Sequence, residues 1–219
     1  MELLREAKKR GVPISGEACP HHFTLTDAAI AGSEPFWRKD GKSIFGYETD
    51  APKPSWPIYD TNFKMNPPLR SARDREAILE GLVDGTLEVI CSDHAPHCDY
   101  EKEVEFDYAP FGITGLETEL ALSLMQLYHT KRMSLPDLIA KFTVAPERLL
   151  HLGKGTLAVG ADADVTVLDP DMDWVYEREK TASKSKNNPF YGWALKGKAV
   201  TTIVAGKVIW REQILADKV

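Results

Sequence analysis

The sequence predicts an α/β fold: a first part built on parallel strands, followed by a small β-rich unit. Three observations carry this. Apolar helical stripes alternate with short strand-like runs from residue 2 to residue 93. After Gly153 the chain turns to β-branched segments punctuated by glycine. A hydrophobic content of 43% with 27% charged residues, over 219 residues, suits one large domain or two small ones.

The first element is a helix, "MELLREAKKRG", with Leu3, Leu4 and Ala7 as its apolar stripe and Gly11-Val12-Pro13 as its stop. Ile14 to Cys19 reads as a strand that delivers Pro20-His21-His22. From Ala31 to Asn62 there is no clear period, but there are four prolines and two tryptophans. A connection that long inside a domain is read as a lid, a binding loop or an insertion. "KMNPPLRS" (Lys64–Ser71) is extended, because Asn66 and Pro67 each precede a proline. A helix over Asp74–Val83 turns Ile78, Leu79 and Leu82 inward and stops at Gly85. The strand Leu87-Glu88-Val89-Ile90 follows, and two more helices span about Leu116–His129 and Leu135–Leu150, with Pro136 in the first turn of the second.

"GTLAVGADADVTVLDPD" and "GWALKGKAVTTIVAGKVIWRE" are the strand segments of the β-rich part, separated by a polar loop over Lys180–Pro189. The expected domains are therefore residues 1–153 and 154–219. Only two strands of the parallel sheet are visible in the first. A closed eight-stranded α/β barrel alone takes about 250 residues, so that domain reads as the tail of something larger.

Bulk properties exclude several classes of function. The formal net charge is −6, and the one basic run, Lys8-Lys9-Arg10, lies on a helix face, so no nucleic-acid partner is expected. No apolar stretch approaches the roughly 18 residues of a membrane span. The N-terminus lacks the apolar core and cleavage site of a signal peptide. Cys19, Cys91 and Cys98 are odd in number and widely spaced, which reads as free thiols in a reducing cytoplasm.

The chemistry concentrates at "ICSDHAPH" (Ile90–His97), where an apolar strand ends in an acid, two histidines and a proline. In parallel α/β architectures, that edge of the sheet gathers catalytic groups. A capped turn, with Asp93 bonding its own backbone, is the bland alternative. Read locally, Glu17, His21, His22, Asp93, His94 and His97 offer oxygen and imidazole ligands from two adjacent strand ends. Of His21 and His22, neighbours on a strand, at most one faces such a site.

"SDHAPH" followed by four residues and Lys102 resembles the C-terminal signature of class I dihydroorotases, members of the amidohydrolase superfamily. So do "EACPHHFTLTD", "KMNPPLRSARDREAILEGLVDGT", "FGITGLETEL" and the closing "GADADVTVLDPD". The resemblance implies the C-terminal part of a zinc-dependent (β/α)₈ barrel with a segment of a small β-sandwich domain. The reaction it implies is the reversible cyclisation of N-carbamoyl-aspartate to dihydroorotate, in pyrimidine biosynthesis. Matched by motif, Asp93 is the metal ligand and proton shuttle, while Asn66, His97 and the backbone at Phe111 and Gly112 contact the substrate. His21 and His22 do not match the zinc-binding histidines of the family and are expected to be structural or to sit behind the ligands. Glu17 matches a glutamate that binds an additional metal in some relatives.

The His-x-His pair, the bridging carboxylated lysine or aspartate and the single histidines of the family have no counterpart here. The chain alone is therefore expected to be inactive, completed by a missing N-terminal half or by a homo-oligomer. Two rivals are another cyclic amidohydrolase (a dihydropyrimidinase or allantoinase) and a non-catalytic subunit that scaffolds aspartate transcarbamoylase.

Overall fold

The strands expected before His21 and before Asp93 lie side by side and parallel. In the computed structural model, which describes residues 1–39 and 52–212, β1 (Glu17–Ala18) pairs with β2 (Val89–Ile90), Glu17 opposite Val89 and Ala18 opposite Ile90. Both are only two residues long, and both point the same way, so the segments that leave them emerge together. The connection between them carries α2 (Pro20–Thr24), α3 (Ser33–Lys39) and α4 (Ala72–Val83). Ser71 caps α4, its hydroxyl accepting from the Asp74 N–H.

One half of the core lies beside this pair. Ala18, Phe23, Leu79, Leu82, Leu87, Ile90, Leu124, Leu127 and Leu138 are buried against each other. The first helix, α1 (Glu2–Lys9), covers this cluster with Met1 and Leu4, and its Leu3 is 88% exposed. The expected stripe is thus narrower than three residues: Leu3 lies about 100° round the helix from Leu4 and faces water. Lys8 anchors the helix on the Glu88 carboxylate, which also accepts from the Gly16 N–H at 2.9 Å.

The region over Ala31–Asn62 departs most from the sequence reading. Its described part holds α3, and Phe36 and Trp37 are buried. Phe36, Trp37, Trp56 and Trp193 lie ring against ring, with Trp56 stacked on Phe63 at 4.7 Å. The described flanks of the segment thus contribute Phe36, Trp37 and Trp56 to the core. Seven residues opening on Ser-Glu-Pro are too few for a helical period to show against that proline-rich background. The rest of the expected loop, residues 40–51, lies outside the described residues.

Two expected helices also differ. The one over Leu116–His129 begins at α6 (Glu119–Ser123) and continues as a π-helical turn over Leu124–Tyr128, preceded by the short α5 (Asp99–Lys102). The one over Leu135–Leu150 is two helices, α7 (Leu135–Phe142) and α8 (Val144–Leu150), broken at Thr143. Pro146 explains the break, since it lacks an N–H and its ring would strike the Phe142 carbonyl.

The β-rich part is a three-stranded antiparallel sheet in the order β3 (Val165–Val175), β4 (Ala194–Val204), β5 (Lys207–Arg211). The segment between β3 and β4 and the start of β4 bring Phe190, Trp193 and Leu195 into the aromatic cluster, beside Leu25, Phe36, Phe63 and Met65. Among the described residues, no helix is long and apolar enough to cross a membrane.

Candidate functional site

Beyond Ile90, the chain runs out of β2 into the segment that carries Asp93. Asp93 is exposed and its φ is +47°, a left-handed conformation uncommon for a residue with a side chain. Next to it, His94 forms a parallel bridge with Ile113, and its Nδ1 accepts from the Gly115 N–H at 3.1 Å. This imidazole fastens two loops together, so the structure gives His94 a framework role. Gly115 permits the approach: a Cβ there would stand 2.4 Å from the Ser92 carbonyl oxygen.

Further along, the His97 ring donates from Nε2 to the Phe111 carbonyl at 2.9 Å, and its Nδ1 lies 3.8 Å from the Glu101 carboxylate. Gly112 has φ +105°, and a Cβ there would meet the Ala95 methyl at 2.6 Å, so only glycine sits at this point without displacing a neighbour. Its N–H donates to the Lys64 carbonyl at 3.0 Å, which brings in the segment that carries Asn66. Lys64 reaches over the Phe111 ring, 4.9 Å from its centroid. Asn66 is exposed at the same edge. "KMNPP", "SDHAPH" and "FGITG", far apart in sequence, thus meet through backbone hydrogen bonds. His97, Phe111 and Gly112 fall at one place, and Asn66 lies two residues along the chain from Lys64, whose carbonyl holds Gly112.

Two supports of this place have no counterpart among the expected site residues. Lys102 is buried and donates from Nζ to the carbonyls of Pro110 and Gly112 at 3.0 and 3.2 Å. Burial pulls its ammonium down to about 8. Asn187 comes from the segment read as a polar loop. Its amide donates to the Ala95 and Gly112 carbonyls and its oxygen accepts from the His97 N–H. Beside it, Asn188 donates to the Thr114 carbonyl at 2.6 Å. The Asn-Asn-Pro triplet was the one available signal, because asparagine is the side chain suited to mimic backbone in irregular segments.

The opposite flank is formed where β1 ends. Cys19 leads into α2, and the Cys19 and Cys91 sulfurs are 3.5 Å apart with both thiols free. His21 and His22 stand on a helical turn and not on a strand, which corrects the alternation argument. Pro20 at the first helical position starts the turn, and the two rings stay together with centroids 4.2 Å apart. His21 is buried, and burial followed by the neighbouring His22 depresses its imidazole to about 3. Burial also lowers His22, while its hydrogen bond to Pro67 and the Asp93 carboxylate oppose that shift. Cys19 is pushed well up by its hydrogen bond to Cys91, by burial and by the charges of Cys91, Asp93 and Glu17. Glu17 itself is exposed.

The zinc ion implied by the family resemblance finds an incomplete set here. Among the described residues, no group of three His, Cys, Asp or Glu donors includes Asp93, and a catalytic zinc takes about three protein ligands. Among the described residues, Asp93 is the ligand that the resemblance assigns to such a site.

Comparison with known proteins gives a consistent family. A dihydroorotase of Syntrophus aciditrophicus is 44% identical over 212 residues, covering 97% of this chain and 43% of that protein. One of Geobacter sp. is 47% identical over 209 residues, covering 95% of this chain and 43% of that protein. The chain therefore spans less than half the length of these curated relatives. Among solved structures, the L-hydantoinase (dihydropyrimidinase) of Arthrobacter aurescens superposes with a TM-score of 0.78 at 29% identity, over 96% of this chain and 42% of that one. A D-hydantoinase follows at 0.74 and 26%, again over 96% of this chain and 42% of that one. These neighbours share an α/β hydrolase fold with the chain. The model of the amidohydrolase family matches residues 54–209. That match takes in Asn66, Asp93, His97 and the Phe111–Gly112 turn, and the chain belongs to the amidohydrolase family.

Proposed function

We propose that this chain supplies the substrate-carboxylate side and the acidic metal ligand of a dihydroorotase, the enzyme that interconverts N-carbamoyl-aspartate and dihydroorotate. The observation that carries this reading is identity: 42–47% to dihydroorotases over nearly the whole chain, against 29% to the hydantoinase neighbour. In this reading the parallel pair β1–β2 belongs to a (β/α)₈ barrel and the sheet β3–β5 to a β-sandwich domain. The metal is zinc, which would supply an activated hydroxide; its other ligands come from an N-terminal half or a second copy of the chain. The compartment is the cytoplasm, and any association with aspartate transcarbamoylase is a separate, further possibility of the family.

Within the chain, Asp93 holds its carboxylate at the strand edge, free to ligate the metal and to accept a proton. Asn66 presents an amide to the substrate. The Phe111–Gly112 backbone and the His97 ring contact the substrate. The His97 ring donates from Nε2 to Phe111, which leaves Nδ1, beside Glu101, as the ring atom that faces a further partner.

The test joins this chain to the portion of the Syntrophus aciditrophicus dihydroorotase that it does not match, in one polypeptide, and follows ring opening of dihydroorotate by absorbance. Turnover is expected, abolished by Asp93→Ala and lost in Asp93→Asn, which keeps the shape but not the base. His97→Ala should raise KM with the zinc content unchanged. Turnover of hydantoin or dihydrouracil in place of dihydroorotate would overturn the reading.

A further inference from the structure

We propose that Cys19, His21 and His22 hold a thiophilic divalent ion of the zinc class. The Cys19 sulfur and one ring nitrogen from each histidine lie within 4.8 Å of one another. In a tetrahedral site with Zn–S of about 2.3 Å and Zn–N of about 2.0–2.1 Å, donors stand roughly 3.3–3.7 Å apart. Closure thus needs side-chain movements of about an ångström or less and no change of fold. The Cys91 sulfur stands 3.5 Å from that of Cys19 but falls outside this set of mutually close donors. Thiolate and imidazole together select zinc, cobalt and copper over magnesium or calcium.

Three independent features point to an ion. His21 is only 3% exposed, and its Nε2 has no hydrogen-bond partner. An orphaned buried nitrogen costs about 1–3 kcal/mol, and a metal removes that cost. Next, His22 donates from Nε2 to the Pro67 carbonyl at 2.7 Å. That bond leaves the lone pair on Nδ1 and fixes the ring, as backbone carbonyls do behind metal-bound histidines. Finally, two carboxylates stand near the group, Asp93 and Glu17 acting on Cys19 and Asp93 on His22. A divalent ion offsets that charge and converts the thiol to the thiolate it binds.

The arrangement depends on α2. On a strand, His21 and His22 would diverge; on the turn started by Pro20 they stay ring to ring, two and three residues past the sulfur. Pro67 ties the same group to the segment that carries Asn66. Metal at this point would brace the edge where Asp93 emerges.

Cobalt(II) reports thiolate ligation directly, independently of dihydroorotase turnover. The 219-residue chain, with the exposed Cys98 changed to Ser and a phosphine reductant present, is titrated with cobalt(II) chloride. One equivalent should give a near-ultraviolet sulfur-to-cobalt charge-transfer band and the visible bands of a tetrahedral ion, both displaced by zinc. Cys19→Ser should abolish the charge-transfer band. His21→Gln and His22→Gln should each weaken binding at least about tenfold. Asp93→Asn and the distant His151→Gln should leave the band in place. Circular dichroism checks that the variants are folded, and where one of the two histidine variants is not, the other decides. Absence of a sulfur-to-cobalt band at one equivalent, or its persistence in Cys19→Ser, overturns the proposal.

Discussion

Asn187 offers the sharpest test of how the candidate site is held. Its amide ends three hydrogen bonds: it donates to the Ala95 carbonyl at 2.9 Å and to the Gly112 carbonyl at 3.2 Å, and it accepts from the His97 N–H at 3.1 Å. In Asn187→Ala, the Gly112 carbonyl keeps Lys102 as a donor, but the His97 N–H and the Ala95 carbonyl lose the side-chain partner. At about 1–3 kcal/mol for each group left without a bond, and toward the lower end because both are partly exposed, the loss is about 2–4 kcal/mol. With a urea m-value of about 2–3 kcal/mol/M, the midpoint should fall by roughly 1 M or more at unchanged m. Asn187→Asp should be worse than Ala at neutral pH, because it sets a carboxylate against two carbonyl oxygens. That difference should shrink on acidification, once the carboxyl can donate a proton. Urea melts at pH 7 and pH 4 measure both. Losses below about 0.5 kcal/mol for both variants, the level of an ordinary surface substitution, would refute the view that this amide bolts the loops together.

Other outcomes follow from the same physics. Phe36→Ala should cost about 3–5 kcal/mol, as for a buried aromatic, since Phe36 is fully buried among Trp37, Trp56 and Trp193; a denaturation midpoint near that of the parent would contradict the place of Phe36 in the core. Burial lifts the Glu119 carboxyl to about 7. The folded state then binds more protons than the unfolded state between about pH 4.5 and 7, so stability falls as pH rises through that window. Glu119→Gln should remove the dependence, stabilising the chain by about 1–3 kcal/mol at pH 8 and little at pH 4.5; parallel pH profiles of the two proteins would contradict this.

Much of the organisation was legible in local pattern. The parallel strands, the helix that stops at Gly85 and the β-rich tail all have short-range causes: apolar period, helix-stop chemistry and β-branched runs flanked by glycine. The segment Ile90–His97 stood out by its residue types alone, but those types do not separate the framework role that the structure gives His94 from a role in chemistry. The break at Thr143 was in principle readable too, since Pro146 stands in the sequence.

Tertiary structure alone decided the rest. α3 escaped detection because seven residues hold too few turns to display a period, and its identity as core depends on Trp193, more than 150 positions away. Asn187 looked like loop because its partners are backbone groups of segments that only folding brings near. The histidine pair was assigned strand geometry, and a single turn begun by Pro20 reversed the conclusion about which way its rings point. In each case the deciding contact is long-range, and residue type and spacing carry no information about a neighbour that the chain meets only when folded.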